Sequence, residues 1–574
     1  MDPKIISRAE TWLNAPFDQA TQREVRDLLE KNPEKLTDAF FKDLSFGTGG
    51  MRGLMGSGTN RMNIYTIRAA TLGLANYLNS QSRKNPAVFI GYDVRHYSKE
   101  FAQEAACVLA ANQIRVFITE EICPTPLVSF GCRHYGCSAA IMITASHNPP
   151  AYNGYKVYWS DGGQVVSPHD EGIIAEVRKI PLNSKIALSS LKSPLITFVD
   201  KQIDEAYLAN LKKWQLIKPT PVKILYSPLH GTGIRIIPDA LKSWGYSDVT
   251  LISEQKNPDP NFTNAPSPNP EEKSALAIGS KQLLESRGDI FIATDPDADR
   301  IGLVIRDKEI AIPLTGNQTA CLILYHICTQ LRARGEIPLN AAFVKTIVTT
   351  ELFAKISKDF GGACIDVLTG FKYIAEQITL WEQSFDAYQF LFGAEESYGC
   401  LYGTMSRDKD SISAACILAE IAALAKKQNI NLIDRLYQIY QKYGIHRESL
   451  TNLNYPDSQI GMLQMQALMD RLRKQPPAKI NGIEVLSIED YLLGVAKNLK
   501  TKHKTPLYLP KSDVLRFWLS DGSKLIIRPS GTEPKVKLYT EVVQETIKHL
   551  PTDIALCDER LKALAEAFKS ETSI

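Results

Sequence analysis

The chain has 574 residues, 44% of them hydrophobic and 22% charged, the balance of a soluble globular protein with several domains rather than a disordered chain. Its net charge of +3 gives no broad basic field for nucleic acid, so any phosphate recognition has to come from locally placed Lys and Arg. The ten cysteines form no C-x-x-C pair, which excludes common zinc spacings; no apolar run nears the ~20 residues of a membrane span, and MDPKIISRAETW lacks the apolar core of a signal peptide, so the expectation is a cytoplasmic protein with reduced thiols.

Residues 64–80 (IYTIRAATLGLANYLNS) carry apolar side chains at helical spacing, and AVFIGYD (87–93) reads as a short buried strand. A helix near 97–112 follows, then strands at QIRVFIT and AAIMIT. The Ser- and Pro-rich stretch 179–200 breaks this alternation and marks a boundary. The rhythm restarts with VKILYSPL, a helix around 234–245, DVTLISE and DIFIATD. A third unit opens with the helix TGNQTACLILYHICTQL (315–331), continues through AFVKTIVTT, CIDVLTG and AYQFLFGAEE, and ends in a helix at 410–428. The last part differs: VLRFWLSDGSKLIIRPS holds a D-G turn between two strand-like runs, VKLYTEVV extends that sheet, and 553–570 is an amphipathic helix. The fold class expected is α/β, with three consecutive α/β domains of mixed sheets (1–202, 203–314, 315–450) and a smaller C-terminal α+β domain (451–574) around a central cleft.

One pattern recurs: a buried strand runs into a polar loop at IMIT-ASHNPP, IFIA-TDPDADR, FLFG-AEESYG and LIIR-PSGTEPK. Open α/β sheets bind ligands beyond the carboxyl ends of their strands, so four such ends, one per domain, can meet in one cleft. Asp295, Asp297 and Asp299 offer hard oxygen ligands suited to Mg²⁺ or Ca²⁺, but Arg300 and Arg306 stand where an EF-hand needs Gly and Glu. Arg528, Ser530, Gly531 and Thr532 can grip a phosphate dianion. Glu395 and Ser397, two apart, suit adjacent sugar hydroxyls. Arg52, in the Gly-rich SFGTGGMRG, can face an anion, and Lys409 in RDKD is either solvated or catalytic. Ser146 lacks the G-x-S-x-G elbow of a hydrolase, a histidine at the next position does not usually point back at it, and by itself it reads as a cap before two prolines.

TASHNP, DPDADR, GAEESYG and RPSGTEPK, in this order, change that reading. The ordered set resembles the α-D-phosphohexomutase superfamily of phosphoglucomutases and phosphomannomutases over nearly the whole chain. FGTGGMRG, GYKVYWSDGGQVVSPHD and TGFK (369–372) look like the branch that holds bacterial phosphoglucomutases, phosphopentomutases and glucose-1,6-bisphosphate synthases. The resemblance implies that Ser146 carries a phosphoryl group, that Asp295, Asp297 and Asp299 hold Mg²⁺ together with that group, and that Arg300 steadies it. It implies that Arg528, Ser530, Gly531 and Thr532 grip the other phosphate, and that Glu395, Ser397, Thr369, Gly370 and Lys372 bind substrate. Lys156 and Lys409 take the acid and base roles, in either order, and Arg52, His147 and Lys345 line the site.

The activity implied is an intramolecular phosphotransfer between glucose 1-phosphate and glucose 6-phosphate, with glucose 1,6-bisphosphate as intermediate and activator. Sugar phosphates are the expected partners, whether the protein is a monomer or a dimer. Phosphopentomutase and phosphomannomutase are the near alternatives; a metal-dependent sugar-phosphate phosphatase and a non-catalytic sugar-phosphate-binding protein are the distant ones. Two departures stand out. Gly399 occupies the place of the histidine in the G-E-M-S-G-H loop of the phosphomannomutase type, and Ser397 departs from the E-E-A-I-G of phosphopentomutases, which favours a glucose-type substrate.

Overall fold

The first sheet is built from strands too apolar to face water. AVFIGY (Ala87–Tyr92) and AAIMI (Ala139–Ile143) are buried along their whole length, because helices cover both faces. Alternate side chains serve opposite cores: Phe89, Ala140 and Met142 pack with Leu127 and Val128 of the helix Thr125–His134, whereas Val88, Ile90, Ile141 and Ile143 pack with Ile67, Leu74, Phe101 and Leu109 of the helices Ile64–Ser80 and Ser98–Ala111. The computed structural model describes residues 2–44, 50–81, 85–385, 387–456, 459–530 and 535–572.

The strand order in this sheet is Gly50–Leu54, Tyr152–Trp159, Ala139–Ile143, Ala87–Tyr92, Arg115–Thr119, Ile196–Val199. The last four are parallel, and Tyr152–Trp159 is antiparallel to both of its neighbours. The second sheet runs Ile310–Pro313, Ile301–Asp307, Ile290–Thr294, Ile224–Ser227, Val249–Leu251, and the third Ala363–Val367, Ala341–Thr346, Gln389–Ala394, Cys400–Tyr402. Both are mixed as expected, each with an antiparallel strand beside a parallel set.

The eight-stranded C-terminal sheet is antiparallel throughout, and the expected hairpin is present as Leu515–Leu519 against Lys524–Pro529. Its edge strand, Ile445–Asn454, pairs along its full length with Lys535–Gln544. This strand therefore runs across the expected boundary between residues 450 and 451. The helix Leu550–Glu571 packs on these same two strands. The amino-terminal helices Pro3–Glu10, Gln19–Lys31 and Pro33–Phe40 were not anticipated. They form a small core of their own, in which Trp12, Phe17, Leu36 and Phe40 pack on Tyr65 of the first domain. No helix among the described residues is long and apolar enough to cross a membrane.

One topological device positions the site. In every domain the strand that carries a site loop is followed by its own antiparallel neighbour: Ala139–Ile143 by Tyr152–Trp159, Ile290–Thr294 by Ile301–Asp307, Gln389–Ala394 by Cys400–Tyr402, and Lys524–Pro529 by Lys535–Gln544. Each loop is thus held at both ends by adjacent strands of one sheet.

Candidate active site

Ser146 lies just past the strand Ala139–Ile143, with its backbone in the left-handed region at φ 51°. A non-glycine residue there is strained by about 1–3 kcal/mol. The conformation is held by its N–H, which donates to Thr144 Oγ1 at 2.8 Å. It also corrects the expectation for His147: the turn folds the two adjacent side chains together, and Ser146 Oγ lies 3.2 Å from His147 Nδ1. Burial, reinforced by Arg300 and Arg52, keeps that imidazole neutral well below its usual range.

The Ser146 hydroxyl donates to Asp295 Oδ2 across the domain boundary at 2.8 Å. Asp295, Asp297 and Asp299 are buried and bring ligand oxygens within 4.8 Å of one another. The loop curls around Asp295, whose Oδ1 accepts the backbone N–H groups of Asp299 and Arg300 at 3.0 and 2.9 Å. Burial and the neighbouring carboxylates raise Asp295, whereas for Asp297 the cost of burial is outweighed by Lys156. Oδ1 of Asp297 and Oδ1 of Asp299 are buried without a hydrogen-bond partner among the described residues. Buried, unpaired carboxylate oxygens are costly in the absence of a cation, and an all-oxygen set suits Mg²⁺. These residues therefore fit the metal that the sequence implied.

Two lysines flank the cluster. Lys156, on Tyr152–Trp159, reaches Asp297 at 2.7 Å and Asp299 at 3.2 Å. Lys409 enters from the third domain, 3.2 Å from Asp299, 3.6 Å from Asp408 and 3.9 Å from Glu395. Burial works against both ammonium groups, but the carboxylates outweigh it and both lysines are held charged. Lys409 is thus inside the cleft and not solvated. Gly399 makes its path possible: a Cβ there would lie 2.0 Å from Lys409 Cδ. The space that a side chain at position 399 would need is taken by the stem of that lysine.

Glu395 is buried, with its carboxylate accepting the N–H of Gly370 at 3.0 Å. Gly370 has φ 121°, a conformation few other residues adopt, and it brings the TGFK turn onto the Glu395 loop. Thr369 beside it accepts a hydrogen bond from Arg528 Nη1 of the C-terminal domain. Ser397 and Ser530 are half-buried on their loops, whereas Gly531 and Thr532 lie outside the described residues. Arg300 pairs with Glu271 and stands 4.0 Å from Asp299. Arg52 is exposed on the cleft wall and donates to Asn148 Oδ1 at 2.8 Å. Lys372 turns toward Asp170, at 3.9 Å.

Lys345 is not brought to this cluster. It is buried 2.8 Å from Asp366 and 3.0 Å from Glu351, in an ion network that continues through Arg516, Lys524 and Glu541 and joins the third and fourth domains. Several polar groups at the cluster escaped sequence reasoning. Thr125 donates to Asp297 Oδ2 at 2.9 Å. Asp408 is fixed beside Lys409 by Tyr158 and Gln164, both at 2.9 Å. Lys537 pairs in register with Arg528. Asp408 sits in the quoted RDKD and Lys537 in the strand VKLYTEVV, so both were within reach of the sequence; nothing local marks Thr125.

These contacts run unbroken from Ser146 through the carboxylates and Lys409 to Glu395, Gly370, Thr369 and Arg528, so all four domains close on one polar cleft. This is the architecture of a four-domain phosphoryl-transfer enzyme. The models for the phosphoglucomutase/phosphomannomutase α/β/α domains I, II and III match residues 43–184, 205–308 and 315–443, and the C-terminal domain model matches 451–556. The chain belongs to the phosphoglucomutase/phosphomannomutase family, whose members are phosphohexomutases, a class of isomerase. Among its relatives, a phosphoglucomutase of Staphylococcus aureus strain MRSA252 is 37% identical over 512 residues, covering 88% of this chain and 90% of that protein. The phosphoglucomutase of strain USA300 is 36% identical over 541 residues, covering 93% and 95%. Two solved structures share the fold. A putative phosphomannomutase from Thermus thermophilus has a TM-score of 0.68 at 21% identity over 92% of this chain and 99% of that one. The Paramecium phosphoglucomutase parafusin has 0.63 at 19% identity over 91% and 95%.

Proposed function

We propose that this protein is a phosphoglucomutase that interconverts glucose 1-phosphate and glucose 6-phosphate through a phosphoserine at Ser146 and a glucose 1,6-bisphosphate intermediate. The observation that carries the reading is the hydroxyl of Ser146, strained into the cleft 2.8 Å from Asp295 in a cluster of three buried aspartates. The phosphoryl group leaves Ser146 Oγ, which takes a proton, for a free hydroxyl of the hexose monophosphate, whose own proton passes to a base. After the bisphosphate turns over in the cleft, its other phosphoryl group returns to Ser146, and the vacated sugar oxygen takes a proton.

Lys156 and Lys409, charged on opposite sides of the cluster, offset charge at the reacting oxygens; each, as an ammonium, can donate to a leaving oxygen and, once neutral, accept the proton of an attacking hydroxyl. His147 holds the serine hydroxyl while Ser146 is unphosphorylated. Glu395 and Ser397 orient the sugar, and Arg528 with Ser530 grips the phosphate that is not transferring. Mg²⁺, held by Asp295, Asp297 and Asp299, supplies Lewis-acid stabilisation of the transferring group when bound. Because the bisphosphate presents either end, both phosphates are read by general cationic contacts and not by a shape specific to one.

The test is mass spectrometry and turnover together. Wild-type protein incubated with glucose 1,6-bisphosphate gains about 80 Da on the Ser146 peptide, the mass of a phosphoryl group, and isomerises glucose 1-phosphate without releasing phosphate. Ser146→Ala does neither. Full activity in Ser146→Ala removes the mechanism, stoichiometric phosphate release makes the protein a phosphatase, and preference for mannose or ribose 1-phosphate over glucose 1-phosphate moves it to a neighbouring specificity.

A further inference from the structure

The Ser146 loop has no regular structure of its own, yet its hydroxyl must sit within about an ångström of one position. We infer that Arg95 is the positioning residue that holds this loop in register with the carboxylate cluster, and that Phe262 of the second domain locks Arg95 in place. The inference rests on the phosphoserine reading of Ser146 and assigns a role to a side chain that touches no reacting atom.

Arg95 follows the central strand Ala87–Tyr92 and is 3% exposed. Its guanidinium donates to four carbonyls of one loop: Nη1 to Pro149 at 2.9 Å and Tyr152 at 3.0 Å, and Nη2 to Ser146 and to Asn148, the latter at 2.6 Å. Only a planar fork with several fixed donors can satisfy four acceptors at once. Asp93 supplies the counter-charge at 3.2 Å and is itself fixed by Ser98 at 2.7 Å. The carbonyl of Ser146 is thereby pinned on one side while Thr144 holds its N–H on the other, and together these contacts sustain its left-handed backbone.

The second domain closes the arrangement into a circuit. Phe262, fully buried, places its ring centroid 5.0 Å from the Arg95 guanidinium carbon, and Asn261 meets His96 at 2.9 Å. The segment holding both is tied to His230, whose Nδ1 lies 2.8 Å from the Asn257 carbonyl and whose Nε2 accepts from the Asn264 N–H at 3.2 Å. An accepting Nε2 makes Nδ1 the protonated, donating nitrogen. Two residues further on, Thr232 donates through its N–H and its hydroxyl to the carbonyl of Pro296, at 2.8 and 2.9 Å. Gly231 allows that approach, since a Cβ there would lie 2.4 Å from Pro296 Cα. Pro296 stands between Asp295 and Asp297. The turn at 229–233 therefore holds the aspartate loop with one end and the cap on Arg95 with the other, so the two loops that must meet are braced against a common part.

A displacement of about 1 Å in a reacting group costs on the order of 10²-fold in rate. Arg95→Lys, which keeps the charge but cannot bridge four carbonyls, is expected to lower kcat about 100-fold with KM for glucose 1-phosphate unchanged within about twofold. Ser146 still becomes fully phosphorylated by glucose 1,6-bisphosphate, only slowly. Phe262→Leu, which leaves the guanidinium in place, lowers kcat about tenfold with the same KM pattern, and millimolar guanidinium chloride restores part of the activity of Arg95→Ala. A purely structural role would instead reduce the fraction of protein that can be phosphorylated and leave the per-site rate intact. A per-site kcat equal to wild type in Arg95→Lys overturns the inference; if that variant does not fold, a wild-type per-site kcat in Phe262→Leu overturns it. Wild-type protein that takes no phosphoryl group on Ser146 removes the underlying mechanism instead, so the two failures are distinguishable.

Discussion

Gly399→Ala tests the role of Lys409 without touching it. The added Cβ would sit 2.0 Å from Lys409 Cδ, where ordinary contact needs at least 3.4 Å, so the lysine stem must move by about 1.4 Å or more. Its ammonium now lies 3.2 Å from Asp299. A shift of that size takes it beyond hydrogen-bond reach and away from the loop carrying Glu395. Gly399 is not among the residues with positive φ, so the backbone tolerates alanine, and a flexible side chain can swing aside at modest cost in stability. The expected result is a soluble enzyme with a melting temperature within a few degrees of wild type and a kcat lower by about 10²–10³, the scale of a displaced general acid or base. The assay is glucose 6-phosphate formation followed by a coupled oxidation, run on Gly399→Ala, Lys409→Met and the double variant. If the glycine acts only by making room for the lysine, the double variant is no slower than Lys409→Met. A further loss of the same 10²–10³ in the double variant, or full activity in Gly399→Ala, refutes the reasoning.

Two further outcomes follow from the same charges. Asp297→Asn keeps the shape that Thr125 and Lys156 grip but removes a charged ligand, and should raise the Mg²⁺ concentration for half-maximal activity by at least about tenfold; an unchanged Mg²⁺ titration would put the metal elsewhere. Glu396, next to Glu395, is pushed up to about 7 by burial and by that neighbour. Between the usual value of 4.5 and about 7 the native state thus binds more protons than the unfolded chain, and this group's contribution to stability falls as pH rises through that window. Urea midpoints taken near pH 5 and near pH 8 should therefore differ less in Glu396→Gln than in wild type, and an identical pH dependence in the two proteins would contradict the assignment.

The residues legible in the sequence are those whose signal is local. Asp295, Asp297 and Asp299 announce a cation by alternating on a short loop behind a buried strand, and Glu395 follows another such strand. Arg95 was missed although it, too, follows a buried strand, in GYDVRHYS, because a lone arginine does not reveal that its four acceptors lie more than fifty residues on. Lys345 errs the other way. It stands near the end of Ala341–Thr346, where site residues are expected, but Asp366 from the adjacent parallel strand and Glu351 from the following helix claim its charge. The resemblance placed His147 in the site, but its contact with Ser146 was argued against by a rule that is sound for extended or helical backbone and fails at a left-handed serine. The amino-terminal helices went unread because they are short, polar and broken by proline, and their apolar side chains acquire meaning only against Tyr65.

The strain at Ser146 has counterparts that explain why the site can exist before substrate arrives. Ala298 in the aspartate loop and Tyr398 in the Glu395 loop are also left-handed without being glycine, at φ 53° and 66°. Each such residue costs about 1–3 kcal/mol and persists only where its surroundings over-determine it. Here the surroundings are the antiparallel strands at both ends of each loop, which fix the distance the loop must span, and the bonds across it, such as Ala298 N–H to the Asp295 carbonyl at 2.9 Å and Glu395 N–H to that of Gly399 at 2.9 Å. Left-handed turns in such confined loops gather side chains that an extended chain would send apart: Ser146 with His147, and Asp295 with the backbone N–H groups of Asp299 and Arg300. The reorganisation that a solvent-exposed site would need at the moment of transfer is met in advance by the fold, which is the condition under which charged groups stabilise a transition state most effectively.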